Sequence, residues 1–173
     1  MKVVRLTQDY IFPAFDCGNQ DLNDFLSNDS KSYMQKRLAV TYLIEDDQRL
    51  AGYFSVLNDK LTVNDIPSSE WRRVKRLFPH RKHRRDYPAV KIGRLAIDLK
   101  YQGKHIGSDI LNFIKYMFSG NNRTGCAFVT VDALKEALPF YLKNCFHCIE
   151  ISEDNESTVQ LYFDLNQLDS ICQ

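Results

Sequence analysis

The segment from Val90 to Met117 combines residues that could bind an anion. An apolar run ends at Asp98, a short turn carrying Gly103 and Gly107 follows, and apolar residues then recur at helical spacing. A strand, a glycine turn and a helix start leave backbone N–H groups without partners, and the positive end of the helix dipole points to the same place. The pattern therefore predicts a pyrophosphate-binding site at this turn.

Two common phosphate-binding motifs do not fit the turn. A Walker A loop needs Gly-x-x-x-x-Gly-Lys-Ser/Thr, and the stretch from Gly103 to Ser108 has no lysine before its serine. A Rossmann turn needs Gly-x-Gly-x-x-Gly in the first βαβ unit, and neither the spacing nor the position agrees. Another nucleotide-binding class is required.

The turn resembles motif A of the GCN5-related N-acetyltransferases (the GNAT superfamily), which reads Gln/Arg-x-x-Gly-x-Gly/Ala. Gln102 and Gly107 fit this motif, whereas His105 stands where the family usually has its first glycine. The resemblance implies an N-acetyltransferase with acetyl-coenzyme A as cosubstrate and no metal. It also implies a strand backbone that pairs with the pantetheine arm, formed by Leu95, Ala96 and Ile97. The amides that would hold the pyrophosphate are those of Gln102, Gly103, Lys104, His105, Ile106, Gly107 and Ser108.

A second family-like segment lies about forty residues downstream. The stretch from Ala137 to Phe146 resembles the GNAT pattern Ala-x-x-x-Tyr-Glu-Lys-x-Gly-Phe, with Cys145 in place of the glycine and Leu134 where many members have asparagine. The resemblance implies that Tyr141 is catalytic and serves the departing thiolate. A phenol with a pKa of about 10 is a weak acid towards a thiol of about 8.5, so a hydrogen bond to sulfur is favoured over complete proton transfer. The alternative is a tyrosine that only packs its helix.

No general base is evident in the sequence. A lysine-type amine is about 0.04% neutral at pH 7, whereas an α-amine is about 10% neutral, so an α-amine needs much less help from a base. Asp98, at the end of the strand, is predicted to be a turn or helix-start residue. The base and the acceptor amine remain unassigned.

A basic run lies between Arg72 and Arg85, with eight positive charges and no acidic residue. Once these eight are removed from the 23 basic residues, 15 remain against 22 acidic ones, so the charge is segregated. One interpretation is a solvated loop or a cofactor contact. The other is a surface for tRNA, since clustered Lys and Arg bind phosphates regardless of sequence.

A narrower resemblance covers most of the chain. The stretches from Phe15 to Leu26, from Gly52 to Ser55 and from Gly93 to Asp98 are similar to the GNAT branch containing toxins that acetylate aminoacyl-tRNA. Toxin members usually have an antitoxin partner. This resemblance gives an alternative to acetylation of another primary amine, and a non-catalytic acyl-coenzyme A or RNA-binding module is the competing class.

Composition is consistent with a single domain spanning residues 1–173. The chain is 44% apolar and 26% charged, and it shows neither a signal-like start nor the roughly 20 apolar residues of a membrane span, so we expect a cytoplasmic protein without membrane contact. Five scattered cysteines favour reduced thiols. The Cys145–Cys148 pair is interpreted as buried or half-buried cysteines of a strand. A homodimer is left open.

The order of predicted elements indicates an α/β fold. Alternating or continuous apolar runs predict strands, and apolar residues at helical spacing predict helices. We expect a mixed, mostly antiparallel sheet with helices on both faces, which is the GNAT arrangement. The predicted strands are 3–6, 40–45, 50–57, 90–98, 127–133, 146–151 and 159–163, and the predicted helices are 19–38, 107–118 and 135–143.

Overall fold

A seven-stranded, mostly antiparallel sheet organises the chain in the computed structural model, which describes residues 1–62, 71, 85–120, 125–149 and 157–169. The strand order is β1-β2-β3-β4-β5-β7-β6. The strands are β1 (Lys2–Arg5), β2 (Val40–Asp46), β3 (Arg49–Thr62), β4 (Asp86–Ile97), β5 (Phe128–Leu134), β6 (His147–Cys148) and β7 (Thr158–Asp164). The α/β fold expected from the sequence is confirmed.

The described helices follow the predicted order. The long predicted helix at 19–38 is divided, because α1 and α2 are separated by a π-helical turn. Its start is set by Asn19, whose side chain accepts a hydrogen bond from the Leu22 amide. The elements are α1 (Gln20–Asp24), the π turn (Phe25–Asp29), α2 (Ser30–Gln35), α3 (Ile106–Ser119), a 3₁₀ turn (Lys135–Ala137), α4 (Leu138–Lys143) and α5 (Asn166–Asp169).

The chain forms two compact units that divide β3, β4 and α3 between them. The first contains Met1–Leu57 and Ile92–Phe113, and the second contains Asn58–Lys91 and Ile114–Gln173. The expectation of a single domain over residues 1–173 stays a prediction.

In the first unit, adjacent residues of β3 face helices on opposite sides of the sheet. The Tyr53 ring stacks on Phe25 at 6.2 Å between centroids, and the Phe54 ring meets Phe113 edge-on at 6.2 Å. Since successive strand side chains point to opposite faces, α3 lies on one face and the α1–α2 region on the other. Helices on both faces were expected from the sequence.

A close approach of two strands explains a glycine in the middle of β3. A Cβ atom at Gly52 would lie 2.8 Å from the Ala96 carbonyl oxygen and 2.8 Å from the Ile97 Cδ1 atom. Backbone cannot yield as a flexible side chain can, so only glycine fits without moving β4. The end of β4 is the strand that leads into the glycine turn.

The second unit has its own apolar core on the β5–β7 ladder. The two strands pair antiparallel, with Thr130 opposite Tyr162 and Asp132 opposite Gln160. The core cluster comprises Leu61, Tyr87, Ala89, Phe128, Ile149 and Tyr162, with Trp71 packed against it. This ladder supports the segment that carries Tyr141.

The basic run and the absence of a membrane span were both expected from the sequence, and the structure describes only part of the chain. The basic run lies outside the described residues except for Arg85, so its interpretation stays a prediction. Among the described helices, none has the length and apolar character required to cross a membrane.

Candidate functional site

The turn between β4 and α3 is anchored by a buried carboxylate. Asp98 is 7% exposed, and its Oδ1 and Oδ2 atoms accept hydrogen bonds from the amides of Lys100 at 2.9 Å and Asp16 at 3.1 Å. Its own amide donates to the Ala51 carbonyl at 3.0 Å. The prediction of a turn residue is confirmed, and both oxygens are already engaged.

A side-chain amide holds the turn from the other side. Gln102 Nε2 donates to the carbonyl oxygens of Ile97 and Cys17, each at 3.0 Å. The first bond joins the turn to the end of β4, and the second joins it to the segment before α1. The motif glutamine therefore shapes the backbone of the turn through carbonyl groups.

Five consecutive amides at the start of α3 are left available. The Gln102 amide donates to the Asp98 carbonyl at 3.1 Å, and the Ser108 amide donates to the His105 carbonyl at 3.0 Å. Within the described ranges, no acceptor is recorded for the amides of residues 103–107 between them. Unpaired amides at a helix N-terminus are the groups that bind phosphate oxygens, so the backbone fits a pyrophosphate.

The departure from the family motif at His105 has a backbone explanation. His105 has φ +63° and Gly103 has φ +74°, which is the left-handed region that glycine enters freely. Histidine adopts this region more often than most residues do. The His105 side chain is exposed, so the loop keeps its shape and its amides with an imidazole at the surface.

The strand residues expected to meet the pantetheine arm lie just before the turn. Ala96 is buried at 4% exposure, whereas Leu95 and Ile97 are half-buried. The Ile97 carbonyl already accepts the Gln102 side chain, so it is engaged within the chain. Pairing of the strand backbone from Leu95 to Ile97 with a cofactor stays a prediction.

Tyr141 lies on α4 in the second unit and is 6% exposed. Its ring meets Phe140 at 5.1 Å and Phe146 at 5.4 Å, both edge-on. Among the described residues, no hydrogen-bond partner is recorded for its hydroxyl. Burial raises the pKa of Tyr141 above its ordinary value, so the phenol remains protonated at neutral pH and can donate a hydrogen bond.

A Schellman motif ends α4 and fixes the tyrosine. The Phe146 amide donates to the Tyr141 carbonyl at 3.1 Å, and the Cys145 amide donates to the Leu142 carbonyl at 3.0 Å. The packed rings of Tyr141 and Phe146 are the apolar contact that usually accompanies this motif. The tyrosine is therefore held by both backbone and ring.

The same motif corrects the interpretation of Cys145. It was predicted as a buried or half-buried strand residue, but it is exposed and has φ +64° in the turn after α4. Glycine is the usual residue there, which explains why the family pattern has one. Cys148 is half-buried in β6, as expected. Among the described residues, no group of three potential ligands could hold a metal ion.

Sequence reasoning missed a polar row on the second unit. The Thr130 hydroxyl donates to Asp59 at 2.5 Å, and Lys91 pairs with Asp132 at 2.5 Å. Thr130 and Asp132 alternate along an otherwise apolar strand, and that alternation was a usable signal. Both carboxylates are engaged, so neither is a free base in this arrangement.

Comparison with known proteins agrees with this geometry. Residues 82–160 match the family description "Acetyltransferase (GNAT) domain". A tRNA-acetylating toxin of Mycobacterium tuberculosis (strain ATCC 25618 / H37Rv) is 26% identical over 131 residues, which are 75% of this chain and 74% of the toxin.

Two solved structures share the fold over almost the whole chain. AtaT complexed with acetyl-methionyl-tRNAfMet has a TM-score of 0.80 and 23% identity, covering 99% of both chains. A tyrosine-to-phenylalanine mutant of KacT also has a TM-score of 0.80, with 22% identity and 98% of both chains covered.

The family match covers somewhat less than half of the chain, and the two solved structures share its fold. The chain has the fold of these acetyltransferases, and its segment 82–160 is similar to the GNAT acetyltransferase domain. Together with the anion-binding turn, these likenesses support an acetyl-coenzyme A-dependent acetyltransferase activity.

The anchoring role of Asp98 gives a testable stability effect. Asp98→Ala leaves two amides without their acceptor and should lower the free energy of unfolding by about 1–3 kcal/mol. Urea denaturation followed by circular dichroism measures the change. Asp29→Ala removes an exposed carboxylate with no capping hydrogen bond and should change stability by less than about 0.5 kcal/mol. Equal losses in the two variants would contradict the anchoring role.

Proposed function

We propose that this enzyme acetylates the α-amine of aminoacyl-tRNA. The similarity to the tRNA-acetylating toxin of Mycobacterium tuberculosis, across three quarters of both chains, carries the proposal. The AtaT structure with acetyl-methionyl-tRNAfMet, which matches 99% of this chain in fold, supports it. The predicted tRNA contact is the basic run from Arg72 to Arg85.

The cofactor would be held by the turn before α3. The free amides of residues 103–107 and the positive end of the α3 dipole suit the pyrophosphate, and the β4 backbone from Leu95 to Ile97 is the predicted partner of the pantetheine arm. When bound, acetyl-coenzyme A supplies a thioester whose C–S bond breaks as the new amide bond forms. Asp98 and Gln102 keep the turn in the shape that presents these amides.

Tyr141 would stabilise the departing thiolate through its hydroxyl. The hydroxyl has no recorded partner among the described residues, so it is available as a donor. Because burial raises its pKa further above that of a thiol, complete proton transfer becomes less favourable than in water. A hydrogen bond to sulfur is therefore the role that its environment supports.

An α-amine acceptor would need little help from a general base. Asp59 and Asp132 are each engaged, with Thr130 and Lys91. An α-amine is about 10% neutral at pH 7, and an ester-linked one is more acidic still, so a strong base is not required. A lysine side chain would be a much poorer substrate for such a site.

A protein partner also follows from the similarity. AtaT, whose tyrosine-to-phenylalanine mutant has been solved with the C-terminus of the antitoxin AtaR, matches this chain with a TM-score of 0.74 and 22% identity. By that likeness we expect an antitoxin for this chain.

The acceptor is tested with labelled acetyl-coenzyme A, the purified protein and a cell extract rich in charged tRNA. We expect the label on RNA, released by mild base because an aminoacyl ester is cleaved there. A variant with the charges of residues 72–85 neutralised should label RNA less and lose salt-sensitive tRNA binding. Label on protein or small amines would reject the aminoacyl-tRNA proposal while leaving the acetyltransferase activity intact.

The pyrophosphate site is tested with Gly107→Glu. A carboxylate at the start of α3 would repel the anion and should weaken coenzyme A binding by more than about tenfold. Isothermal titration calorimetry measures the affinity. Gly120→Glu is the matched control, because no atom of the described residues lies within 4 Å of where its Cβ atom would be. Unchanged affinity in the Gly107 variant would remove the turn from the cofactor site.

The role of Tyr141 is tested with Tyr141→Phe, which keeps the ring contacts and removes only the donor. We expect turnover to fall by about ten- to a thousand-fold with coenzyme A affinity retained. Tyr116→Phe, at a 62% exposed residue of α3, should leave turnover unchanged. Steady-state release of the coenzyme A thiol measures both variants, and full activity in Tyr141→Phe would exclude the hydroxyl from the reaction.

A further inference from the structure

A lysine lies in the core of the second unit. Lys115 belongs to α3 and is 5% exposed, although lysine is rarely buried so completely. It follows Leu111 by four residues, so it occupies a position of the helix's apolar stripe. A cation at this position needs a structural reason, because removing its charge from water costs free energy.

The ammonium group meets two aromatic rings. Its Nζ atom lies 4.0 Å from the centroid of the Phe163 ring and 5.3 Å from that of Phe146. Aromatic faces attract a cation and replace part of its lost hydration. Burial lowers the pKa of Lys115, and the nearby Cys145 acts in the opposite direction.

The ammonium group also holds the end of α4. Lys115 Nζ donates to the Asn144 carbonyl at 2.7 Å, and Asn144 is the residue that ends the helix. The Asn144 amide in turn donates to the Tyr141 carbonyl at 3.0 Å. A helix leaves its last carbonyls unpaired, and a cation at this end is favourable to the helix dipole.

Lys115 thus contacts both structures that fix Tyr141. One is the backbone turn at Asn144, and the other is the Phe146 ring that packs against the tyrosine ring at 5.4 Å. The helix α4 has only six residues, and so short a helix does not hold its shape without tertiary contacts.

We propose that Lys115 is a positioning residue for Tyr141, acting through the Asn144 carbonyl and the Phe146 ring to set the direction of the tyrosine hydroxyl. The inference rests on the proposed role of Tyr141 and deepens it. A purely structural lysine would lower stability on replacement and leave kcat unchanged, so a loss of kcat without a change in KM distinguishes the two roles.

The first variant is Lys115→Met, which fills the same space without charge or donor. We expect kcat for coenzyme A thiol release to fall about ten- to a hundredfold, since small displacements of a catalytic group cost up to about a hundredfold. The KM for acetyl-coenzyme A should remain close to that of the unchanged protein, and circular dichroism should show that the fold is retained. Lys143→Met makes the same change at an exposed position of α4 and should have no effect.

The second variant is Lys115→Arg, which keeps the positive charge and the donor. Recovery of kcat above that of Lys115→Met supports positioning by the ammonium group. The third variant combines Lys115→Met with Tyr141→Phe. Its residual turnover should not fall below that of Tyr141→Phe, because the effects of two residues that act as one unit are not additive.

The outcomes separate this inference from the proposed function. The assay uses whichever acceptor fraction takes the label, so a wrong acceptor assignment does not affect it. Full kcat in Lys115→Met, or equal losses in the presence and absence of the Tyr141 hydroxyl, would overturn the positioning role while Tyr141→Phe remains impaired. Full activity in Tyr141→Phe itself would overturn both the role of the tyrosine and that of the lysine.

Discussion

Five backbone amides at residues 103–107, which have no acceptor among the described residues, constrain the turn before α3. Because unpaired amides form no hydrogen bonds that would stabilise their own backbone, other contacts must keep that backbone in place. The Asp98 carboxylate and the Gln102 side chain do this through amides and carbonyls. The close approach at Gly52 fixes the strand that enters the turn.

In the second unit the available donor belongs to a side chain. Tyr141 keeps a hydroxyl with no recorded partner among the described residues, while its ring and its backbone carbonyl are both engaged. By contrast, Asp59 and Asp132 are each satisfied by a neighbour. In the described part of the chain, the amides of residues 103–107 and the Tyr141 hydroxyl are therefore held in place by their neighbours while their own donors remain available.

Much of the fold could be predicted because periodicity and turn glycines act locally. The strand into Asp98 and the helix after Gly107 follow from residue spacing, whereas the role of Tyr141 was implied only by the resemblance to the GNAT pattern. The exposed position of Cys145 could not be predicted in this way, because its conformation is set by the end of α4 and not by its own type. The burial of Lys115 could not be predicted either, because it depends on the ring of Phe163, which is distant in the sequence.

The π turn from Phe25 to Asp29 adds one residue to the helical segment between α1 and α2. The Ser30 amide donates to the Phe25 carbonyl, so this turn holds one residue more than an α-helical turn would. Each residue of an α-helix rotates the chain by about 100°, so the extra residue decides which side chains of α2 face inward. Lys31, whose ammonium reaches the Tyr10 carbonyl at 2.7 Å, is one of them. Deleting one residue from this turn would therefore rotate α2 by about 100° and turn a different set of its side chains inward.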